Sequence, residues 1–226
     1  MSVETELRLD GARTLFVVRT DEPDLRRALR QLAFTEDEGA FVRPFPSDAP
    51  RLHESYVRFK HTLDEVLAQA SGRTITPWED ALEATALRLE MARVPWFLVG
   101  SGALAVRGID VVPRDLDLVV DDPKAATEAF RNLEVEPVTE NRPGAWIARW
   151  FGRAFLHARV EWIAGVDPAV DTNATPNDYG PGAESRLETV RWHDHDLQLA
   201  PLDLQLAVTE SRGLTERAAA IRDYLG

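Results

Sequence analysis

The first seventy residues carry two kinds of hydrophobic spacing, one typical of strands and one typical of helices. Residues 15–18 and 41–42 are short apolar runs, and each run predicts a strand. Apolar residues at helical spacing follow Pro23, and a second helical stripe covers residues 53–70. We therefore predict a small N-terminal α/β module over residues 1–72, whose role the pattern does not indicate.

The rest of the chain alternates strand-like and helix-like patterns. Thr76, Pro77 and Glu79 have the identities and spacing of a capping box and predict a helix start. The segment 167–183 is rich in Asp, Asn and Pro and predicts a loop. The other predicted elements are strands over 96–99, 116–120, 145–151 and 157–165, a hairpin around 193–196, and helices over 103–106, after 122, over 202–212 and over 215–225. This alternation predicts an α/β or α+β domain over 73–200, with C-terminal helices over 201–226 packing on it.

Composition excludes several classes of function. There is no cysteine, so disulfides, thiolate metal sites and cysteine nucleophiles are excluded. The 38 acidic residues exceed the 26 basic residues, for a formal net charge of −12, which disfavours a broad nucleic-acid surface. Apart from Lys60 and Lys124 the basic residues are all Arg, which we interpret mainly as a compositional bias. No apolar run approaches the ~20 residues that span a bilayer, and the acidic N-terminal residues do not resemble a secretory signal. We expect a cytoplasmic protein.

The most informative segment joins a glycine-rich turn to a pair of acidic residues. Gly100, Ser101 and Gly102 follow an apolar strand and precede a short helix, where glycine lets backbone N–H groups approach a phosphate. After a spacer of thirteen residues counted from Ser101, Asp115 and Asp117 take alternate positions on the next predicted strand. Their carboxylates then share one face about 7 Å apart, and they repel each other unless they are exposed, protonated or bound to metal. The segment predicts a Mg²⁺ and triphosphate site suited to phosphoryl or nucleotidyl transfer.

An apolar strand, Gly-Ser, this spacer and Asp-Leu-Asp-Leu together resemble the signature of the DNA polymerase β-like nucleotidyltransferase superfamily. The chain is most similar to its small members, which are aminoglycoside and lincosamide nucleotidyltransferases and those of toxin–antitoxin and abortive-infection systems. Arg107-Gly108, Arg114 and the tail beginning Leu199-Ala200-Pro201 also look like that group. The likeness covers residues 78–226 and is specific over 97–118. It implies a mixed β-sheet flanked by helices.

The resemblance also implies the roles of the acidic residues. Asp115 and Asp117 would bind two Mg²⁺ ions, and a third carboxylate on a later strand would hold the second ion and take a proton from the acceptor hydroxyl. Glu161, an acid within the apolar strand 157–165, is our candidate. The alternative is that Glu161 lies on an edge strand, facing water or pairing with Arg159. Asp167 and Asp171 are secondary candidates.

The triphosphate contacts follow from the same resemblance. Ser101 and the amides around Gly100 and Gly102 would cradle the β- and γ-phosphates while the hydroxyl attacks the α-phosphate and pyrophosphate leaves. Small family members often carry Lys in the first tail helix, where this chain has Arg212, so Arg212 or Arg217 would take that place. Arg107 and Arg114 are further candidates for nucleotide or acceptor contacts. Arg114 could equally be a structural counter-ion for the Asp pair.

Other polar and aromatic clusters have simpler interpretations. The segment His193-Asp194-His195-Asp196 alternates, so on a strand both His side chains would lie on one face and both Asp side chains on the other. Four ligands would then not converge on one metal ion, and we interpret the segment as a solvated hairpin turn. The tryptophans are interpreted as packing residues, with base stacking as an alternative for those near the site: Trp146, Trp150 and Trp162.

The favoured hypothesis is a Mg²⁺-dependent enzyme that moves a nucleoside monophosphate from an NTP such as ATP to a hydroxyl acceptor. The net charge favours a small-molecule acceptor, particularly a cationic one, over nucleic acid. One alternative is a non-catalytic or toxin–antitoxin-type protein that acts through a protein partner. Another is an enzyme that modifies tRNA or protein. The sequence indicates neither the nucleobase nor the oligomeric state.

Overall fold

The computed structural model describes residues 3–141, 144, 147–170 and 178–226. Its strands are β1 (Glu4–Asp10), β2 (Arg13–Arg19), β3 (Thr35–Asp37), β4 (Ala40–Pro46), β5 (Trp96–Val99), β6 (Asp115–Val120), β7 (Glu134–Glu140), β8 (Ala148–Leu156), β9 (Ala158–Val166), β10 (Glu188–Trp192) and β11 (His195–Leu199). Its helices are α1 (Pro23–Gln31), α2 (Leu52–Ala70), α3 (Trp78–Ala92), α4 (Gly100–Val106), α5 (Pro123–Ala129), α6 (Pro181–Glu184), α7 (Leu202–Ser211) and α8 (Thr215–Leu225).

The N-terminal region is an antiparallel sheet of four strands in the order β1-β2-β4-β3, with α1 and α2 packed against it. The predicted strands at 15–18 and 41–42 lie within β2 and β4, and both predicted helices are confirmed. Strand β1 was not predicted, because its sequence ETELRLD offers little apolar surface and lies at the sheet edge.

The second sheet has seven strands in the order β10-β11-β5-β6-β9-β8-β7. The pairs β6–β9 and β11–β5 are parallel and the other pairs are antiparallel, so the predicted mixed sheet is confirmed. Leu98, Leu116, Leu118 and Trp162 lie in its buried core. Strand β9 is interior, so the alternative interpretation, in which Glu161 lies on an edge strand, is wrong.

Strand β7 was also not predicted, because its sequence EVEPVTE looks exposed. In the fold, Glu134 and Glu136 are buried, since helix α2 covers this strand. Arg51 Nη2 lies 2.5 Å from Glu134 Oε1, and Arg58 Nε donates to the Glu134 carbonyl at 2.8 Å. Helix α2 therefore ties the N-terminal region to the second sheet, while the proposed boundary at residue 72 stays a prediction.

Two helix starts test the capping predictions. Asp122 accepts hydrogen bonds from the N–H groups of Lys124 and Ala125 and caps α5 as predicted. The predicted capping box of α3 is wrong, because Pro77 takes the cap position without a side-chain bond and Thr76 is buried. The Thr76 carbonyl instead accepts from Trp78 N–H at 2.9 Å.

The remaining predicted elements are confirmed in part. The tail helices and the hairpin of β10 and β11 are present. Strand β8 begins at Ala148 rather than at residue 145, which lies outside the described residues. The predicted loop contains α6 and a short 3₁₀ turn over Pro168–Val170. Across the described part of the chain, no helix combines the length and apolar character needed to cross a membrane.

Candidate active site

The turn between β5 and α4 brings the backbone of Gly100 against the side chain of Asp117. Gly100 has φ +64°, a conformation that favours glycine. A Cβ atom added there would lie 2.5 Å from Asp117 Oδ2. Glycine is therefore required both for the backbone conformation and for the space that the carboxylate fills.

Strands β6 and β9 carry the predicted acidic residues side by side. Along β6, Asp115 and Asp117 are partly exposed while Leu116 and Leu118 are buried, as the alternation predicts. In the parallel register, Asp117 lies opposite Glu161. The fold thus brings the three candidate carboxylates to neighbouring positions on one face of the sheet.

Arginines accompany two of these carboxylates. Glu161 Oε1 lies 2.8 Å from Arg153 Nε and 2.9 Å from Arg159 Nε. Arg159 also forms an ion pair with Asp115 through Nη2. The alternative pairing of Glu161 with Arg159 is therefore present, and Arg159, not Arg114, is the counter-ion of Asp115.

Metal binding can be tested against this arrangement. Among the described residues, no group of three or more acidic or histidine side chains is arranged to hold a metal ion. The donor chemistry of Asp115 and Asp117 nevertheless fits Mg²⁺, because both offer hard carboxylate oxygens on one face. The Asp117 carboxylate forms no ion pair or hydrogen bond with another described residue. Of the three carboxylates only Asp117 has no ion pair among the described residues, because Arg159 pairs with Asp115 and both Arg153 and Arg159 pair with Glu161 through Oε1.

The electrostatics of Asp117 and Glu161 differ for the same reason. Burial, Asp115 and Glu161 raise the pKa of Asp117 to about 8, against the opposing charges of Arg159 and Arg212. Burial would also raise the pKa of Glu161, but Arg153 and Arg159 outweigh it and hold that pKa below its usual range. Glu161 therefore stays ionised, while Asp117, which forms no ion pair among the described residues, keeps its proton to a higher pH than an ordinary aspartate does.

Two cavities flank the acidic residues. The first has a volume of about 200 Å³ and is lined by Gly100, Asp117 and Glu161 together with apolar side chains and two arginines: Val99, Phe151, Ile163, Tyr179, Arg212 and Arg217. We call it the apolar cavity. Its mixture of carboxylates, aromatic rings and cations suits an amphipathic ligand.

The second cavity, about 620 Å³ in volume, is more polar, and we call it the polar cavity. Ser101, Asp115 and three arginines line it: Arg114, Arg159 and Arg217. Gln31, at the end of α1, also reaches this cavity, so the N-terminal region contributes to its wall.

Two candidate residues have structural contacts. A Cβ atom at Gly102 would lie 3.2 Å from Leu116 Cδ2, so this glycine allows α4 to pack closely on β6. Arg107 donates to the carbonyls of Ala103 and Ala200 and pairs with Glu188 at 2.6 Å, with its side chain only 4% exposed. Arg107 therefore holds α4 against the β10–β11 hairpin.

The tryptophans of the site region serve packing where they are described. Trp162 is fully buried and stacks on Phe130, with ring centroids 4.8 Å apart, and Trp150 packs against the same core. Trp146 lies outside the described residues.

The histidine cluster lies at the tip of the β10–β11 hairpin, as predicted. His193 stacks on Trp192, and His195 Nδ1 lies 2.9 Å from Glu90 Oε1. Of the secondary acidic candidates, Asp167 accepts a hydrogen bond from Ala169 N–H in a turn, and Asp171 lies outside the described residues.

Sequence reasoning missed the arginines that organise the site. Arg153 is buried on β8 in register with Glu161, and Arg43 on β4 contributes to lowering the pKa of Glu161. A signal for Arg153 was present, because it is a charge flanked by Gly152 and Ala154 in a largely apolar strand, much as Glu161 is flanked by Val160 and Trp162. No comparable signal existed for Arg43, which belongs to the other sheet.

Comparisons with known proteins support the fold. Neither a family model nor a curated protein matches the chain. A crystal structure of a protein from Thermotoga maritima, described as a candidate nucleotidyltransferase, is similar with a TM-score of 0.51 and 19% identity. The match covers 67% of this chain and 95% of the other. The chain therefore has a nucleotidyltransferase-like α+β fold.

Proposed function

We propose that this protein is a Mg²⁺-dependent nucleotidyltransferase that moves a nucleoside monophosphate from an NTP to a hydroxyl acceptor. One observation carries the proposal. Asp115, Asp117 and Glu161 lie on two adjacent parallel strands beside the Gly100 turn. The nucleotidyltransferase-like fold agrees with this activity.

The polar cavity suits the triphosphate. Its Ser101 hydroxyl can donate a hydrogen bond to a phosphate oxygen, and Arg114 and Arg217 can donate bidentately. Arg212 lines the neighbouring apolar cavity together with Asp117. Arg114, Arg212 and Arg217 therefore take the nucleotide-binding roles in this proposal.

Asp115 and Asp117 would hold Mg²⁺, with Glu161 as the third carboxylate of a two-ion site. Bound Mg²⁺ would supply charge neutralisation of the triphosphate and activation of the acceptor hydroxyl. The chain's own contribution is to orient the reactants: the hydroxyl oxygen forms a bond to the α-phosphorus as the bond to the β-phosphate bridging oxygen breaks. Glu161 Oε2, which forms neither of the arginine contacts, is the oxygen available to accept the hydroxyl proton.

The apolar cavity suits the nucleoside and the acceptor. Phe151 and Tyr179 offer ring surfaces, and Glu161 and Asp117 face the same space. The acidic net charge of −12 favours a small cationic acceptor over a polyanionic one.

The test is release of pyrophosphate from ATP, GTP, CTP or UTP in the presence of Mg²⁺ and a panel of hydroxyl-bearing acceptors. We expect release that EDTA abolishes and that falls at least about 100-fold in Asp117→Asn. Asp196→Asn, which removes an exposed carboxylate that pairs with Arg191 on the β10–β11 hairpin, is the matched control. Equal release by wild type and Asp117→Asn would contradict the proposal.

A second candidate function rests on Arg159. Because Arg159 neutralises both Asp115 and Glu161, the same fold would suit a non-catalytic protein that acts through a protein partner. That candidate predicts that ATP with Mg²⁺ produces no rise in the melting temperature of the wild-type protein. A clear rise would favour the enzyme.

A further inference from the structure

A row of charged residues crosses four strands of the second sheet. In the strand register, Glu136 lies opposite Arg153, Arg153 lies opposite Glu161, and Glu161 lies opposite Asp117. Arg153 Nη1 pairs with Glu136 Oε1, and Arg153 Nε donates to Glu161 Oε1 at 2.8 Å. The row therefore leads by direct contacts from the covered strand β7 to a candidate catalytic carboxylate.

The N-terminal sheet supplies the next member of this row. Arg43 Nε on β4 lies 2.7 Å from Glu136 Oε2, in an ion pair that lacks hydrogen-bond alignment. Glu136 thus gives one oxygen to each of two arginines, Arg43 and Arg153. Both arginines also donate to the Leu32 carbonyl at the end of α1, at 3.2 and 3.3 Å.

Burial makes this arrangement rigid. Glu136 is 2% exposed and Arg153 is 6% exposed. A buried charge that loses its partner is strongly destabilising, so each group is held where its counter-charge lies. A displacement of Arg43 therefore displaces Glu136 and then Arg153, because buried groups cannot exchange a lost partner for water.

The ion pairs around this row, which include Arg159 and Asp115 but not Asp117, balance in charge only when Arg43 is counted. Arg43, Arg153 and Arg159 carry three positive charges, and Glu136, Glu161 and Asp115 carry three negative charges. Without Arg43, Glu136 and Glu161 compete for Arg153. We expect Glu136 to win much of that competition, because it is more deeply buried than Glu161 and has no other described partner.

We propose that Arg43 is a positioning residue for Glu161, acting through Glu136 and Arg153, so that the N-terminal sheet completes the active site. The inference rests on the proposed nucleotidyl transfer, in which Glu161 acts with its free oxygen Oε2. It assigns a function to the N-terminal module: its sheet sets the orientation of a carboxylate on the other sheet. Arg43 itself touches neither of the two cavities.

The consequence for activity is specific. Because the nucleotide contacts of Ser101, Arg114 and Arg217 do not involve the row, loss of Arg43 leaves KM for ATP unchanged. Loss of Glu161 orientation lowers kcat by about 10–100-fold, which is the usual effect of mutating a residue that orients a metal-ligating side chain. A merely structural loss would lower the amount of folded protein and leave kcat per folded molecule unchanged.

The test compares Arg43→Gln with Arg8→Gln. Arg8 lies on the same sheet in an exposed ion pair with Asp37, so its variant matches the charge change without touching the row. Three measurements are made on folded protein: kcat and KM for ATP in Mg²⁺-dependent pyrophosphate release, Mn²⁺ affinity by electron paramagnetic resonance, and the crystal structure. For Arg43→Gln we expect a lower kcat, an unchanged KM, an altered Mn²⁺ affinity and a Glu161 side chain displaced from Arg153. Arg43→Lys, which retains the charge, should recover most of kcat.

The outcomes separate this inference from the proposed function. Absence of pyrophosphate release by the wild type would contradict the proposed function, and the crystal structure of Arg43→Gln would still decide the positioning claim. A Glu161 side chain that superimposes on the wild type, or an effect of equal size in Arg8→Gln, would overturn the inference.

Should Arg43→Gln fail to fold, a second variant tests the same link. Glu136→Asp shortens the link by one methylene and should displace Arg153 and Glu161 in the crystal structure, with the same kcat effect in an active enzyme. Unchanged positions of both side chains in that variant would likewise overturn it.

Discussion

Gly100 lies so close to Asp117 that a Cβ atom on the glycine would come within 2.5 Å of the carboxylate oxygen Oδ2. The contact joins the turn after β5 to the central acidic strand β6. The contact gives a physical reason for a glycine at position 100, because the turn must leave space for the Asp117 carboxylate that it faces.

Gly100→Ala tests this contact. The added methyl group must displace Asp117, so we expect nucleotidyl transfer to fall by at least about 100-fold and stability to fall by more than the ~1–2 kcal/mol cost of a left-handed alanine. Gly213→Ala is the matched control, because Gly213 has φ +66° with no atom within 4 Å of the added Cβ. Denaturant unfolding and pyrophosphate release measure both effects. Equal loss of stability in the two variants would contradict the crowding at Asp117.

The raised pKa of Asp117 predicts how stability depends on pH. Between its unfolded pKa near 3.8 and its folded pKa of about 8, the folded state binds more protons at this group than the unfolded state does. The metal-free wild type should therefore lose stability as pH rises through that window, on the order of a few kcal/mol relative to Asp117→Asn. Urea unfolding in EDTA between pH 4 and pH 8 measures the difference. If the free energy of unfolding changed with pH in the same way in both proteins, the raised pKa of Asp117 would be contradicted.

Arg159→Gln tests competition between the arginine and a metal ion. Removing Arg159 leaves Asp115 without its counter-ion and Glu161 with Arg153 alone. We expect Mn²⁺ to bind several-fold more tightly, and the metal-free protein to lose about 1–3 kcal/mol of stability. Isothermal titration and thermal unfolding measure these changes. Arg149→Gln, which removes an exposed pair with Glu140, should change neither quantity appreciably, and unchanged Mn²⁺ affinity in Arg159→Gln would contradict the prediction.

Arg107 and Arg114 should separate stability from nucleotide binding. Arg107→Met removes donors to two carbonyls and should cost about 1–3 kcal/mol with KM for ATP unchanged. Arg114 is exposed at the polar cavity, so Arg114→Gln should leave stability within about 0.5 kcal/mol and raise KM several-fold. Denaturant unfolding and steady-state kinetics distinguish the two. If KM for ATP rose in Arg107→Met and not in Arg114→Gln, the assignment of Arg114 to nucleotide binding and of Arg107 to stability would be contradicted.

Local pattern predicted the elements whose burial follows from their own residues. Strand β6 and helix α2 are examples, because their apolar positions repeat with the period of the element, and strand β5 is a continuous apolar run. Strand β7 was missed because Glu134 and Glu136 look exposed until Arg51 and Arg43 are brought to them. The capping box is absent because Pro77 takes the N-cap position of α3, and Thr76, which precedes it, is buried.

By itself, the sequence determined the Gly100 turn, the shared face of Asp115 and Asp117 and the mixed α/β character, because these depend on local backbone geometry and side-chain period. Only the tertiary structure decided that Glu161 lies beside Asp117 with its Oε1 against Arg153 and Arg159. It also decided that Arg43 joins this row from another sheet. The physical reason is that ion pairing depends on distance in space, and residues separated by tens of positions become neighbours only when strands pair and sheets pack.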